Sequence, residues 1–417
     1  ALLCGQKQSG TGKTSLIVAP KSLLFNWMSE AARFAPALRC RCYAGPGRER
    51  ILTELQQSDL LLTTYGTLRA DVELLARCEF DYCILDESQA IKNSDSATAK
   101  AVRTIKAEHR LAMTGTPIEN RLSELFSQLE FLNPGLLGEK FLAGCSRIVY
   151  DLSEEQAVRL RRAIHPFLLR RTKADVAKDL PVKTEKVLFC ELDEAQQQSY
   201  AELKEFYRQE LLQTPESGGG KLKALAALLR LRQAACHPGL LDARLASQPS
   251  AKLEVLLERL HTLAEAGQKA LIFSQFSKFL RLLEPHLQQQ GLQYCYLDGQ
   301  TQNRGELVQQ FQNDPRTLFF LISLKAGGTG LNLTAAEYVF LLDPWWNPAA
   351  ESQAIDRAYR IGQKKPVFAY RLIAKDTVEE KVLQMQEAKR SLASTLLAEA
   401  PQKGLPLQLE DLRFLLQ

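Results

Sequence analysis

The chain has 417 residues, 45% hydrophobic and 24% charged, with a formal net charge of +5; this is enough for two domains that each bury a core. No apolar run approaches the ~20 residues that span a bilayer and no secretory signal precedes the first motif, so a soluble intracellular protein with no membrane partner is expected. The charge permits a nucleic-acid partner without demanding one. The nine cysteines form no Cys-x-x-Cys pair; no zinc is expected, and Cys40 and Cys42 read as alternate positions of one strand.

In chain order, Gly10-Thr11-Gly12-Lys13-Thr14 is the core of a phosphate-binding loop. Its glycines let backbone N–H groups approach phosphate, Lys13 would reach the β and γ phosphates, and the Thr14 hydroxyl would ligate Mg²⁺. The full pattern wants glycine where this chain has Lys7. Short apolar runs follow at Leu16–Ala19, Asp59–Thr64, Tyr82–Asp86 and Arg110–Met113. Alternating with helical patterns, they read as buried strands of a parallel sheet, whose ligands lie at the carboxyl ends of its strands. The third run ends in Asp86-Glu87: Asp86 is the candidate metal ligand and Glu87 the candidate that orients or deprotonates water. The fourth runs into Thr114-Gly115-Thr116-Pro117, whose hydroxyls could bond to those acids. From about residue 154 to 260 the pattern is helical without a clear strand series, broken by Gly218-Gly219-Gly220 and Gln248-Pro249-Ser250.

A second α/β block has strand-like runs at Ala270–Ser274, Tyr294–Leu297, Leu318–Ser323 and Tyr338–Asp343. After Asp343-Pro344-Trp345-Trp346-Asn347-Pro348 come Arg357 and Arg360, three apart and expected on one helix face. Fixed cationic forks suit a phosphoryl-transfer transition state. Each feature has a plainer alternative: an acidic turn, an ordinary Pro-started helix, a solvated arginine pair, tryptophans used as core. Three segments are expected: 1–150, 151–250 as helical protrusions and connectors, and 251–417.

Taken together the motifs are similar to the Swi/Snf family of DNA-dependent ATPases. The resemblance rests on Asp86-Glu87-Ser88-Gln89, Leu111 to Asn120, Phe167 to Lys173, Leu271 to Phe276, Leu297-Asp298-Gly299, Ser323 to Leu333, Asp343 to Pro348 and Gln353 to Gln363. These occur in family order over nearly the whole chain. It implies an α/β fold of two RecA-like lobes, each a mostly parallel sheet flanked by helices. It further implies ATP hydrolysis with Mg²⁺ in an interlobe cleft and translocation on double-stranded DNA. By position, Gly10, Thr11, Gly12, Lys13, Thr14, Asp86, Glu87, Arg357 and Arg360 carry over as the ATPase set. Gly330, Asp356 and Gln363 match motifs between nucleotide and DNA, with Gly330 on the nucleotide side. Lys21, Asn26, Trp27, Thr64, Tyr65, Gln275, Ser323 and Lys325 carry over as DNA-facing, mostly toward phosphates. Helical residues around Lys204–Arg232 resemble the family's protrusions and Arg170-Arg171 its interlobe brace. Compact spacing resembles the bacterial and archaeal branch, which implies a cytoplasmic, nucleoid-associated protein; a eukaryotic member would be nuclear.

The chain departs from the family at its start. Thr14 runs directly into Ser15-Leu16-Ile17, where the family has a helix and a further connection, and Gly5 to Ser9 replaces an acidic stretch. The expectation is an incomplete motor core, with either a segment missing after Thr14 or an unsettled register there. The leading expectation is a DNA-stimulated ATPase that translocates on duplex DNA and remodels or displaces a bound protein. The alternatives are a nucleotide-regulated DNA clamp with little turnover and an RNA helicase.

Overall fold

A computed structural model describes residues 2–9, 13–115, 122–136, 165–169, 171, 173–177, 179–212, 220–327 and 331–387. The chain divides into two compact units, Ala1–Ala157 and Val158–Gln417. Among the described residues, no helix is long and apolar enough to cross a membrane.

The first unit is built on β1 (Ser15–Ala19), β2 (Cys40–Tyr43), β3 (Leu60–Thr64), β4 (Glu79–Asp86) and β5 (Lys106–Met113), in the order β2-β3-β1-β4-β5. All pairs are parallel. Successive side chains of a strand point to opposite faces. Leu16 and Val18 therefore join one apolar cluster with Leu61, Cys83 and Leu85, while Ile17 and Ala19 join another with Leu60, Leu62 and Ile84. With both faces covered, β1 is buried along its whole length, which is why it reads as a continuous apolar run.

The second unit holds β6 (Lys183–Cys190), β7 (Ala270–Ser274), β8 (Gln293–Leu297), β9 (Thr317–Ser323), β10 (Tyr338–Leu341) and β11 (Val367–Ala374), in the order β6-β11-β10-β7-β9-β8. These pairs are parallel too. Ala270 and Ile272 face one core, Leu271 and Phe273 the other. The helices Glu194–Leu212 and Gly220–Cys236 pack through Tyr200, Ala224, Leu228 and Leu231.

The structure corrects the sequence reading at two strands, because β6 and β11 stand where none is expected. β6 lies at the sheet edge with Lys183, Glu185 and Lys186 along it, charges that break up an apolar run and suit an edge strand. The start of β5, Lys106-Ala-Glu-His, is missed for the same reason.

Candidate functional site

Register brings the strand ends of the first unit level. Ala19 of β1 is paired with Thr64 of β3, and Val18 with Leu85 of β4, so Ala19, Thr64 and Asp86 share the carboxyl edge. Asp86 is enclosed by neighbours from that edge. The Trp27 indole, on the Leu24–Phe34 helix that follows β1, donates to Asp86 Oδ2 at 2.8 Å. Glu87 N–H donates to Asp86 Oδ1 at 2.9 Å, and the Tyr65 hydroxyl donates to the Asp86 carbonyl at 2.8 Å. Burial, then the Asp86 charge, push the Tyr65 phenol pKa up.

Glu87 has φ 50°, a left-handed backbone that side-chain-bearing residues seldom adopt. Such a conformation costs free energy and persists where the surroundings impose it. Here it turns the chain directly after the strand, so adjacent carboxylates leave in different directions. Gln89 Nε2 donates to Glu87 Oε2 at 2.7 Å, and the Thr114 hydroxyl at the end of β5 donates to Gln89 Oε1 at 2.8 Å. Gln89 thus stands between the Thr114 hydroxyl and Glu87, where the sequence leads one to expect the hydroxyl on the acids themselves; Thr116 and Pro117 lie outside the described residues. Only its place two residues after Glu87 in the acid motif could have marked Gln89.

The other residues carried over on the first unit lie on this edge. Lys21 is exposed in the turn after β1, and Asn26 is half-buried on the next helix. Thr64 caps the helix after β3, accepting from Thr67 N–H at 2.9 Å. Tyr65 is 9% exposed and Trp27 half-buried, and both direct their polar groups at Asp86.

Lys13 and Thr14 are not with them. Asp81 N–H donates to the Thr14 carbonyl at 3.0 Å, which fixes Thr14 at the amino edge of the sheet. Five residues of β1 at about 3.3 Å each separate that edge from Asp86 by roughly 16 Å. The Lys13 ammonium pairs with Glu108 at 2.6 Å and Glu79 at 3.5 Å. The Thr14 hydroxyl is buried 2.7 Å from the Ser58 carbonyl and 2.9 Å from that of Leu55. In this arrangement neither serves the acids, which corrects the expected metal set of Thr14 and Asp86. Gly10, Thr11 and Gly12 lie outside the described residues. Asp86 fits an oxygen-seeking cation, since each carboxylate oxygen accepts one N–H and keeps a second lone pair. The phosphate-loop half does not fit.

In the second unit Ser274 pairs with Ser323, and Leu341 with Phe273, so β7, β9 and β10 also end level. Asp343, just beyond β10, is fully buried; its Oδ1 accepts from the Ser274 hydroxyl at 2.5 Å and from Gln275 N–H at 3.2 Å. Burial raises its pKa, against the nearby Arg232 charge. Gln275 and Ser323 stand at this carboxyl edge; Gly330 and the Lys325 side chain lie outside the described residues. Arg232 donates to the Pro344 carbonyl, and its guanidinium lies 5.4 Å from the Trp346 ring. Trp345 and Trp346 pack against separate apolar clusters, as the plainer reading has it.

The arginine pair differs from expectation. The Pro348–Ile355 helix ends before it, so Arg357 and Arg360 occupy a turn instead of a helix face. Three consecutive carbonyls there are held from outside the helix ladder. Leu333 N–H donates to Arg357 O at 3.0 Å, Gln363 Nε2 to Ala358 O at 3.2 Å, and Lys173 Nζ to Tyr359 O at 2.7 Å. Gln363 also donates to Thr334 O and Ala336 O. Arg357 is 8% exposed and Arg360 half-buried.

A parallel sheet in each unit, one with two carboxylates at its carboxyl edge and the other followed by a fixed arginine turn, is a helicase-like architecture of two α/β units. Residues 1–240 match the SNF2-related domain, and residues 251–362 match the helicase conserved C-terminal domain. The chain belongs to the SNF2-related family. It is 38% identical over 406 residues to an uncharacterized ATP-dependent helicase of Mycoplasma pneumoniae, covering 96% of this chain and 38% of that relative. To the putative ATP-dependent helicase/translocase YwqA of Bacillus subtilis it is 39% identical over 411 residues, covering 94% and 44%. A solved Sulfolobus solfataricus SWI2/SNF2 ATPase core in complex with dsDNA is 34% identical, covering 95% of this chain and 85% of that one, with a TM-score of 0.46. The chain spans less than half the length of these two curated relatives.

Proposed function

We propose that the protein is an ATP-driven translocase on double-stranded DNA that remodels or displaces a DNA-bound protein. The observation that carries the ATPase part is the left-handed turn at Glu87, tied through Gln89 to Thr114. It holds one carboxylate apart from its neighbour, as a division between metal binding and water activation requires. Asp86 is the metal ligand in this reading; Mg²⁺ there would offset phosphate charge. Glu87 orients the attacking water, and Arg357 and Arg360 supply positive charge to the transferring phosphoryl group. Lys21 and Asn26, with Gln275, Ser323 and Lys325, are the proposed DNA contacts, directed at phosphates and so indifferent to base sequence.

A second reading is a DNA clamp with little turnover, and the position of Lys13 and Thr14 at the amino edge favours it. Phosphate release from the full-length protein, with and without duplex DNA, separates the two. For the translocase, DNA stimulates release, and Glu87→Gln binds ATP while kcat falls by about 10²-fold or more. Full DNA-stimulated turnover in Glu87→Gln refutes its role, and absence of release from the unaltered protein leaves the clamp.

A further inference from the structure

We propose that Lys173 is a positioning residue for the arginine pair. The inference rests on the reading of Arg357 and Arg360 given above. Lys173 belongs to the short Lys173–Val176 helix that precedes β6, 186 positions before Tyr359. Its ammonium lies 2.7 Å from Asp356 Oδ1 and 2.7 Å from the Tyr359 carbonyl. Those two acceptors bracket Arg357, and the second belongs to the residue joined to Arg360.

The bracketed stretch needs outside support. Its helix ends at Ile355; the N–H groups of Arg357, Ala358 and Tyr359 still reach back to the Ala354 and Ile355 carbonyls, but the turn's own carbonyls no longer receive a regular helical ladder. From outside the turn's own backbone, the carbonyls of Arg357, Ala358 and Tyr359 are taken by Leu333, Gln363 and Lys173, and that of Ala358 also accepts from the Arg360 N–H at 3.1 Å. Lys173 alone of these three donors carries charge, and it alone grips a side chain of the turn as well as its backbone. The Tyr359 ring extends the contact, with the Lys173 ammonium 5.6 Å and the Lys183 ammonium 5.5 Å from its centroid. A cation attracted to a ring face resists rotation of the residue that bears the ring. Burial and the Lys183 and Arg360 charges work against the Lys173 charge while Asp356 supports it. A cation held beside Arg360 despite that repulsion is placed for what it grips.

The Lys173 and Asp356 side chains are 39% and 40% exposed, and an ion pair this open adds little to global stability. Its loss can thus be read without unfolding the protein. In the full-length protein, Lys173→Met, Lys173→Arg, Asp356→Asn, Lys173→Met with Asp356→Asn, and Arg360→Ala are compared for DNA-stimulated ATP turnover. Amide exchange across residues 356–363 is followed without nucleotide, a readout independent of activity. Lys173→Met is expected to lower kcat by about tenfold or more with KM little changed, as displaced catalytic groups do. Exchange in the turn speeds up, Lys173→Arg recovers part of both effects, and the double variant is no worse than Lys173→Met. Wild-type kcat in Lys173→Met beside an inactive Arg360→Ala overturns the positioning role and leaves the arginine reading intact. Lower kcat with unchanged exchange overturns it as well. Full turnover in Arg360→Ala sinks the arginine reading and this inference with it.

Discussion

Replacing Lys252 with methionine tests the buried support of the second unit's carboxyl edge. Lys252 and Glu379 are both fully buried, with Nζ and Oε2 2.5 Å apart. The same ammonium donates to the Leu342 carbonyl at 2.7 Å, one residue before Asp343. Burial works against the Lys252 charge, but Cys236 and Glu379 outweigh it and hold its pKa above the ordinary value. Without Lys252 the hydrogen bonds left to the carboxylate among the described residues are those from the Ala374 N–H at 2.9 Å and the Cys236 thiol at 3.5 Å. Breaking one side of a buried pair costs about 3–5 kcal/mol, because the other charge stays desolvated. At about 2–4 °C per kcal/mol for a unit of this size, the melting temperature falls by roughly 6–20 °C. Two of the three tryptophans, Trp345 and Trp346, lie in this unit, so urea unfolding followed by tryptophan fluorescence in a Trp27→Phe background reports on it. Adding Glu379→Gln removes the stranded charge and should recover about 2 kcal/mol. A Lys252→Met chain within about 1 kcal/mol of its parent would refute the claim that this pair closes the charge balance of the core.

Two further outcomes follow from individual side chains. Lys13 lies with Glu108 and Glu79 at the amino edge, so Lys13→Ala in this chain should leave ATP affinity unchanged. A loss of about tenfold or more would mean that its ammonium reaches the phosphates at the acids. Glu185 receives Lys183 at 2.7 Å and Arg371 at 2.6 Å; against the opposing effect of burial, these hold its pKa down from 4.5 to about 2. A folded pKa below the unfolded one stabilises fully above about pH 4.5, and that stabilisation is lost as pH falls toward 2. With Glu185 29% exposed, the effect is about 1–2 kcal/mol after allowing for solvent screening. Glu185→Gln should flatten this part of the stability–pH curve, and an unaltered acid limb counts against the pairing.

Legibility in the sequence followed burial. Strands covered on both faces, such as β1, β7 and β9, show continuous apolar runs and were readable from pattern alone. Edge strands with charges along them were not, and β6 is the clear instance. The site divides similarly. Asp86 and Glu87 are legible because two acids close an apolar strand within a series of motifs; alone, they would read equally as an acidic turn. Trp27 and Lys173 reach the candidate catalytic residues through tertiary contacts, and no local spacing encodes a partner 59 or 186 positions away. The arginine pair stands in a turn, where its spacing leads one to expect a helix face. Spacing of three suits a helix face and a turn equally, and the capture of the Arg357, Ala358 and Tyr359 carbonyls by Leu333, Gln363 and Lys173 accompanies the turn.

The position of Lys13 and Thr14 follows from the same topology. A phosphate-binding loop ends its own strand at the carboxyl edge of a parallel sheet. β1 starts at the opposite edge, and β3 and β4 on either side run parallel to it. To go from one edge to the start of the next parallel strand, a chain must retrace the strand length, roughly 16 Å, which takes about 11 helical residues before any turn is counted. Between Thr14 and Ser15 there is a single peptide bond. Lys13 is therefore carried wherever β1 begins, and exposed Glu108 and Glu79 pair with it there. Asp86 and Glu87 are unaffected because their strand enters the sheet through its own connection. A chain that brings Lys13 to those acids without reversing β1 must hold a crossover of about a dozen residues between Thr14 and Ser15.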